Sequence, residues 1–328
     1  MQSSFGGKLY FQLARINEDA SILAHYLNDS MRRFSNSDPE RCEVVLAIIK
    51  ARLNEEFAGD YEGIDVLRQS LGGCVAELLV GKARPFARTW LKEWADEPDS
   101  YGETSEAVVM LLRGEFFFRY RPDANKEMCL MCDRAQEGLT IILSAASKIS
   151  GEAYAVLTSD SPEAERQAAS KRYAAAEKII HQASNQLYFG SGAYAKNTEG
   201  VGLPDATAMK RFMTDYSEIL AMLAASREPA THHHFIEVYE FLIPGDPVAV
   251  FEALNAILHG RAKEEGYHYE TLGTAAIVRI IRRYIADHRV IFEDEGRRAK
   301  LVGILQLFSE VGWPDALQLL YELPDLLR

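Results

Sequence analysis

Apolar residues recur at steps of three and four in almost every segment of this chain longer than about ten residues, which gathers them on one face of an α-helix. Period-two alternation of Val, Ile, Thr and aromatic residues, the mark of a half-buried strand, is nearly missing. The pattern predicts an all-α protein. A first helix is expected over Tyr10–Phe34, with Leu13, Ile16, Ala20, Leu23 and Leu27 on one side. Asp38 as N-cap and Pro39 at the first helical position open a second, Glu40–Ala58, which should bury Val44, Val45, Ile48, Ile49 and Leu53. Gly72-Gly73 interrupts a third element, Ile64–Val80, and predicts either two short helices or one with a kink.

Pro85 starts a short helix that carries Trp90 and Trp94 one turn apart. Thr104–Tyr120 ends in Phe116-Phe117-Phe118-Arg119-Tyr120, whose three adjacent aromatics point three ways and need neighbours on several sides. A helix from Pro122 to about Ser150 follows. Ser161-Pro162-Glu163 then opens an Ala-rich helix to about Tyr188. The clearest break comes next: Phe189–Leu203 holds Gly190, Gly192, Gly200 and Gly202 and no helical period. The organisation expected is an N-terminal helical region, 1–200, and a C-terminal one, 201–328. In the latter, Pro204–Ser226 carries Met209, Phe212, Met213, Tyr216, Ile219, Leu220 and Leu223 on one stripe. Further helices are predicted at Thr231–Leu242, Pro247–His259, Glu270–Phe292, Arg297–Val311 and Asp315–Leu327.

A helix-start pattern, Gly-x-Pro-x-Ala, occurs three times, as Gly202–Ala206, Gly245–Ala249 and Gly312–Ala316, with starts 43 and 67 residues apart. Glycine ends one helix and proline begins the next. The first interval suits a two-helix unit, and the second needs an extra helix. Asp246-Pro247-Val248 followed by Ala253-Leu254 resembles the start of a HEAT-type unit. The resemblance to HEAT and armadillo repeats covers about residues 202–328 and implies helix pairs stacked as in an α-solenoid. The unequal spacing, with no recurring signature through residues 1–200, makes the expected architecture an irregular array of stacked amphipathic helix pairs.

The chain has 328 residues, 48% hydrophobic and 26% charged, so it can bury a large core. A formal charge of −12 repels nucleic acid and anionic membrane unless basic residues gather locally. Four cysteines, Cys42, Cys74, Cys129 and Cys132, make no disulfide framework. Met1–Lys8 lacks a signal-peptide apolar core, and no run approaches the eighteen or so apolar residues of a membrane span. The expected setting is reducing and cytoplasmic, without a membrane partner.

Motifs that carry chemistry are few. His232-His233-His234 is the only histidine run, and His233, Glu237 and Glu240 share one helix face at i, i+4 and i+7. That spacing suits zinc, iron or manganese if a neighbouring helix supplies a fourth ligand. The plainer alternative is a polar face near a helix start. HExxH is missing, and Glu265-Gly-Tyr-His268 straddles a predicted loop. Cys129-Leu-Met-Cys132 has no second ligand pair and lies mid-helix among Met128, Leu130 and Met131, which reads as packing. Gly190-Ser191-Gly192 before Lys196, and Gly6-Gly7-Lys8, match no Walker pattern, and Gly-x-Ser-x-Gly does not occur. Glu177 and His181 are an ordinary one-turn pair. No cofactor is expected.

The predicted helix Glu270–Phe292 gathers Ile277, Ile280, Ile281, Tyr284, Ile285 and Ile291 on one side, with His288 among them as a core histidine. Arg279, Arg282, Arg283 and Arg289 gather on the other. Residues 275–300 hold seven Lys or Arg against four Asp or Glu, a local +3. Such a face suits phosphate or an acidic partner, or is simply solvated and paired with Glu293, Asp294 and Glu295. The leading expectation is a non-enzymatic helical scaffold or adaptor that binds other proteins, a subunit of a larger assembly. The alternatives are a helical-bundle metalloenzyme using His233, Glu237 and Glu240, and nucleic-acid or phosphate binding through Arg279, Arg282, Arg283 and Arg289.

Overall fold

A computed structural model of the chain describes residues 31, 38, 40–44, 46–47, 61–79, 81–97, 101–112, 126–190, 205–261, 274–310 and 312–327. Among them the protein is all-α, with no strand. The elements are α1 (Tyr61–Leu78), α2 (Arg84–Asp96), α3 (Tyr101–Leu111), α4 (Lys126–Leu157), α5 (Glu163–Gly190), α6 (Ala206–Asp215), α7 (Ser217–Ala224), α8 (Pro229–Leu242), α9 (Pro247–Arg261), α10 (Thr274–Asp287), a 3-10 turn (Arg289–Glu293), α11 (Glu295–Glu310) and α12 (Pro314–Leu326). Most of Tyr10–Phe34, the Phe116–Tyr120 run, Gly6–Lys8, Gly192–Lys196, the Gly202 start and Glu265–His268 lie outside the described residues. So do the side chains of Cys129 and Cys132.

The chain divides into two compact units: Met1–Arg113 with Leu130–Ile179, and Gly114–Cys129 with Ile180–Arg328. In the first unit, α1 runs unbroken through Gly72-Gly73, neither split into two helices nor ended there. A methyl group on Gly72 would collide with the Glu103 carbonyl oxygen of α3, and one on Gly73 would press the Met110 side chain at 3.3 Å. Gly72 is where two helix backbones meet, and Gly73 lies against the Met110 side chain. Leu67, Leu71, Val75, Ala107 and Val108 are fully buried along this seam. Trp90 and Trp94 of α2 are core residues packed edge to face at 5.3 Å. Val44, expected inside, is 56% exposed, whereas Cys42 and Leu46 are fully buried. The buried side of that turn is therefore rotated from the predicted one, and burial pushes the Cys42 thiol up to about 11.

In the second unit the predicted helix Pro204–Ser226 is two helices, broken at Tyr216 (φ −105°, ψ 15°). The break re-phases the stripe, so Met209 and Phe212 from α6, Tyr216 at the break, and Ile219, Leu220 and Leu223 from α7 are all buried. Phe212 stacks on Tyr216 at 4.9 Å. The predicted helix Glu270–Phe292 is corrected likewise: α10 stops at Asp287, and Arg289 sits in the separate 3-10 turn.

Helix starts follow sequence chemistry closely. The carboxylates of Asp38, Asp205, Asp246 and Asp294 accept backbone N–H bonds from Arg41 (3.2 Å), Ala208 (2.8 Å), Ala249 (3.0 Å) and Arg297 (2.8 Å). Each such cap is worth about 1 kcal/mol. Ser161 does not cap α5; its hydroxyl pairs with that of Ser159 at 2.8 Å. At the end of α11, Gly312 takes φ +90°, and the Trp313 N–H donates to the Phe308 carbonyl at 3.0 Å while Gly312 N–H donates to Ser309 at 3.1 Å. This Schellman closure needs a left-handed residue, which glycine supplies, and Pro314 begins α12 directly after it. No described helix is long and apolar enough to cross a membrane.

Candidate functional site

The histidine run falls in the first two turns of α8, where Pro229 occupies the helix start. The last turns of α5 hold this segment in place. The Ser184 hydroxyl donates to the Thr231 carbonyl at 2.9 Å in a buried setting. His181 lies between Asn185 Nδ2 (3.0 Å from its Nε2) and Thr231 Oγ1 (3.5 Å from its Nδ1), so both its ring nitrogens are occupied. Burial pulls the His181 imidazolium below the ordinary histidine range, against the opposing pull of Glu228.

With α8 so anchored, His232 turns fully inward and His233 and His234 lie half-buried beside Glu237. Ligand atoms of His233, His234 and Glu237 all lie within 4.8 Å of one another. The two imidazoles meet edge to face at 5.1 Å. Tyr188 covers His234 at 4.8 Å between ring centres, and Phe189 reaches it at 6.0 Å. Burial first, and then the neighbouring His233, lower the His234 pKa; Glu237 pulls the other way without prevailing, and His181 lowers it further. A neutral imidazole with a free lone pair is the favoured state.

Glu240 does not join this cluster. It is buried and takes a two-pronged salt bridge from Arg279 of α10, Nε to Oε1 at 3.0 Å and Nη2 to Oε2 at 2.7 Å. The predicted triad His233, Glu237, Glu240 is thus replaced in space by His233, His234 and Glu237. Adjacent histidines diverge by about 100° on a helix, so spacing pointed to Glu240; Arg279 engages Glu240 instead, and His234 lies with His233 and Glu237.

The four arginines expected on one open face have four different situations. Arg279 is tied to Glu240 and lies 3.8 Å from Glu237. The hydrogen bond it donates to Glu240 raises its pKa further. Arg283 donates to the Glu240 carbonyl at 3.1 Å and sits 3.9 Å from Asp287. Arg282 is exposed, and Arg289 is exposed in the 3-10 turn. His288, expected in the core, is half-buried. Nearby basic residues are also engaged: Arg297 Nε donates to the Ile291 carbonyl at 2.7 Å, Arg298 Nε to Phe292 at 3.1 Å, and Lys300 to Glu252 at 2.5 Å. Much of the local positive charge closes the fold. Glu177, paired in sequence with His181, instead accepts a 2.5 Å hydrogen bond from the buried Ser150 hydroxyl.

No family model matches the chain, and no curated protein or solved structure matches it.

Proposed function

We propose that the protein is a non-enzymatic helical scaffold whose C-terminal helices, stacked as irregular HEAT-like pairs, bind a partner protein. The observation that carries this reading is α12. Its inner side buries Ala316, Leu319 and Leu323, yet Leu317 (42% exposed) and Tyr321 (79% exposed) stand one turn apart on its outer side. Internal packing does not need these two. A large exposed aromatic beside an aliphatic residue is the composition of an interface anchor. The reading through Arg279, Arg282, Arg283 and Arg289 as a nucleic-acid face has less behind it, because Arg279 and Arg283 are committed to Glu240.

The test is affinity purification from the cells that make the protein, comparing wild type with Leu317→Asp, Tyr321→Asp. A stoichiometric protein partner lost in the double variant, with helix content retained, supports the scaffold. A partner retained at wild-type yield moves the interface elsewhere, and no stoichiometric partner at all overturns the reading.

A further inference from the structure

We infer that His233, His234 and Glu237 form a binding site for one divalent transition-metal ion of the zinc class. Three observations converge on it. The ligand atoms are already clustered within 4.8 Å. Bonds of 2.0–2.1 Å at tetrahedral angles place ligand atoms roughly 3.3 Å apart, so small side-chain rotations close the remaining gap. Second, Nδ1 of His233 and Nδ1 of His234 are shut off from solvent without a hydrogen-bond partner among the described residues. The nearest carboxylate oxygen, on Glu237, is 4.0 Å from His234 Nδ1, beyond hydrogen-bond reach. Buried polar atoms are nearly always satisfied, and an ion is one of the few ways to satisfy two adjacent imidazoles together.

The third observation is charge. Arg279 stands 3.8 Å from Glu237 and would oppose a cation, but its charge is matched by the two-pronged bond to Glu240. Glu237 keeps only the longer 3.8 Å contact to that arginine, so its carboxylate faces the two imidazoles with most of its charge unmatched. Two nitrogens and one oxygen are the donor set that zinc-class ions take readily and that calcium and magnesium do not. His181 is not a fourth ligand, because both its nitrogens are held by Asn185 and Thr231. A three-ligand site leaves an open coordination position for water or an outside ligand.

The full-length protein, stripped with chelator and dialysed, is titrated with zinc by calorimetry and with cobalt(II) by visible absorption. One saturable site per chain is expected. Glu237→Gln and the double variant His233→Ala, His234→Ala should weaken it at least 100-fold, since losing a direct ligand exceeds the 10–100-fold cost of losing a supporting residue; His288→Gln should leave it unchanged. X-ray absorption on zinc-loaded wild type needs no variant and should show two imidazoles with oxygen. Sulfur ligation would assign the zinc to Cys129 and Cys132 and overturn the site. So would no saturable binding, or equal binding by folded variants.

Discussion

Two carboxylates, one in each compact unit, are gripped by arginines in opposite ways. Glu137 of α4 takes Arg84 at 2.9 Å, Arg88 at 3.0 Å and Arg134 at 3.4 Å: one anion among three cations. Around Glu240 the ratio inverts, because Glu237 and Glu240 share Arg279. The burial runs the same way at both: the anion is the less exposed member, Glu137 at 17% against 37% and 53% for Arg84 and Arg88, and Glu240 at 7% against 52% for Arg279. An ion pair whose exposed partner is deleted leaves the buried charge stranded; one that loses its shared anion lets its cations swing into water. The same residue types therefore make a three-cation clamp in one unit and a buried strut in the other. Only at the second do two carboxylates compete for one guanidinium.

The largest effect separating the two should come from Arg279→Ala. Breaking a fully buried pair costs about 3–5 kcal/mol; Arg279 is half exposed, so about 2–3 kcal/mol is expected once water reaches Glu240. Urea unfolding should show this drop, and adding Glu240→Leu should recover much of it. Failure to recover would mean that Arg279 matters for packing rather than charge. Next comes Arg283→Glu, which sets a carboxylate against the Glu240 carbonyl and Asp287 and should cost about 1–2 kcal/mol. A variant as stable as wild type would show that the 3.1 Å bond contributes nothing.

The Glu137 clamp is read through pH. Burial alone would raise this carboxyl, but hydrogen bonds and charge from Arg84, then Arg88 and Arg134, outweigh it and hold the group below the ordinary glutamate range. A depressed folded-state pKa means that the stabilisation is fully present above the unfolded value and is lost as pH falls through the folded one. Wild type should exceed Glu137→Gln by about 1 kcal/mol near neutrality, and the difference should vanish in strong acid. A pH-independent difference would make Glu137 a steric support only.

How legible this was differs by level. Helix type and many starts were open to sequence reasoning, because Asp caps and Pro at the first position act on their own backbone: Asp205, Asp246 and Asp294 all behave so. Gly72-Gly73 predicts either two short helices or one with a kink; the helix is single, and the role of Gly72 in it depends on Glu103, 31 residues away in the chain. Gly-x-Pro was read correctly as a boundary, yet by two mechanisms: Gly312 takes positive φ, while Gly245 makes room for Met209 and Lys210. Of the candidate site, His233 and Glu237 were legible from their one-turn spacing. His234 was not, because adjacent residues diverge on a helix, and the diversion of Glu240 needed an arginine from α10 that no local pattern reveals.

The smallest effect tests what remains of the basic face. Arg282 lies on the same helix as Arg279 and Arg283 and is exposed like Arg279, but the two-pronged bond to Glu240 belongs to Arg279 alone. Exposed substitutions away from caps and cores change stability by less than about 0.5 kcal/mol, so Arg282→Glu should melt with wild type while Arg283→Glu does not. The pair of single variants thus divides a row of arginines, uniform in sequence, into a structural member and a free one. If Arg282→Glu melts like wild type and also keeps the partner captured by the intact chain, the basic face has no binding role and α12 is left as the contact surface. Partner loss in Arg282→Glu, with Leu317→Asp, Tyr321→Asp still binding, would shift the docking surface onto α10. Destabilisation by Arg282→Glu as large as that by Arg283→Glu would mean that Arg282 too is bound to the fold, and the contrast between the two would fail.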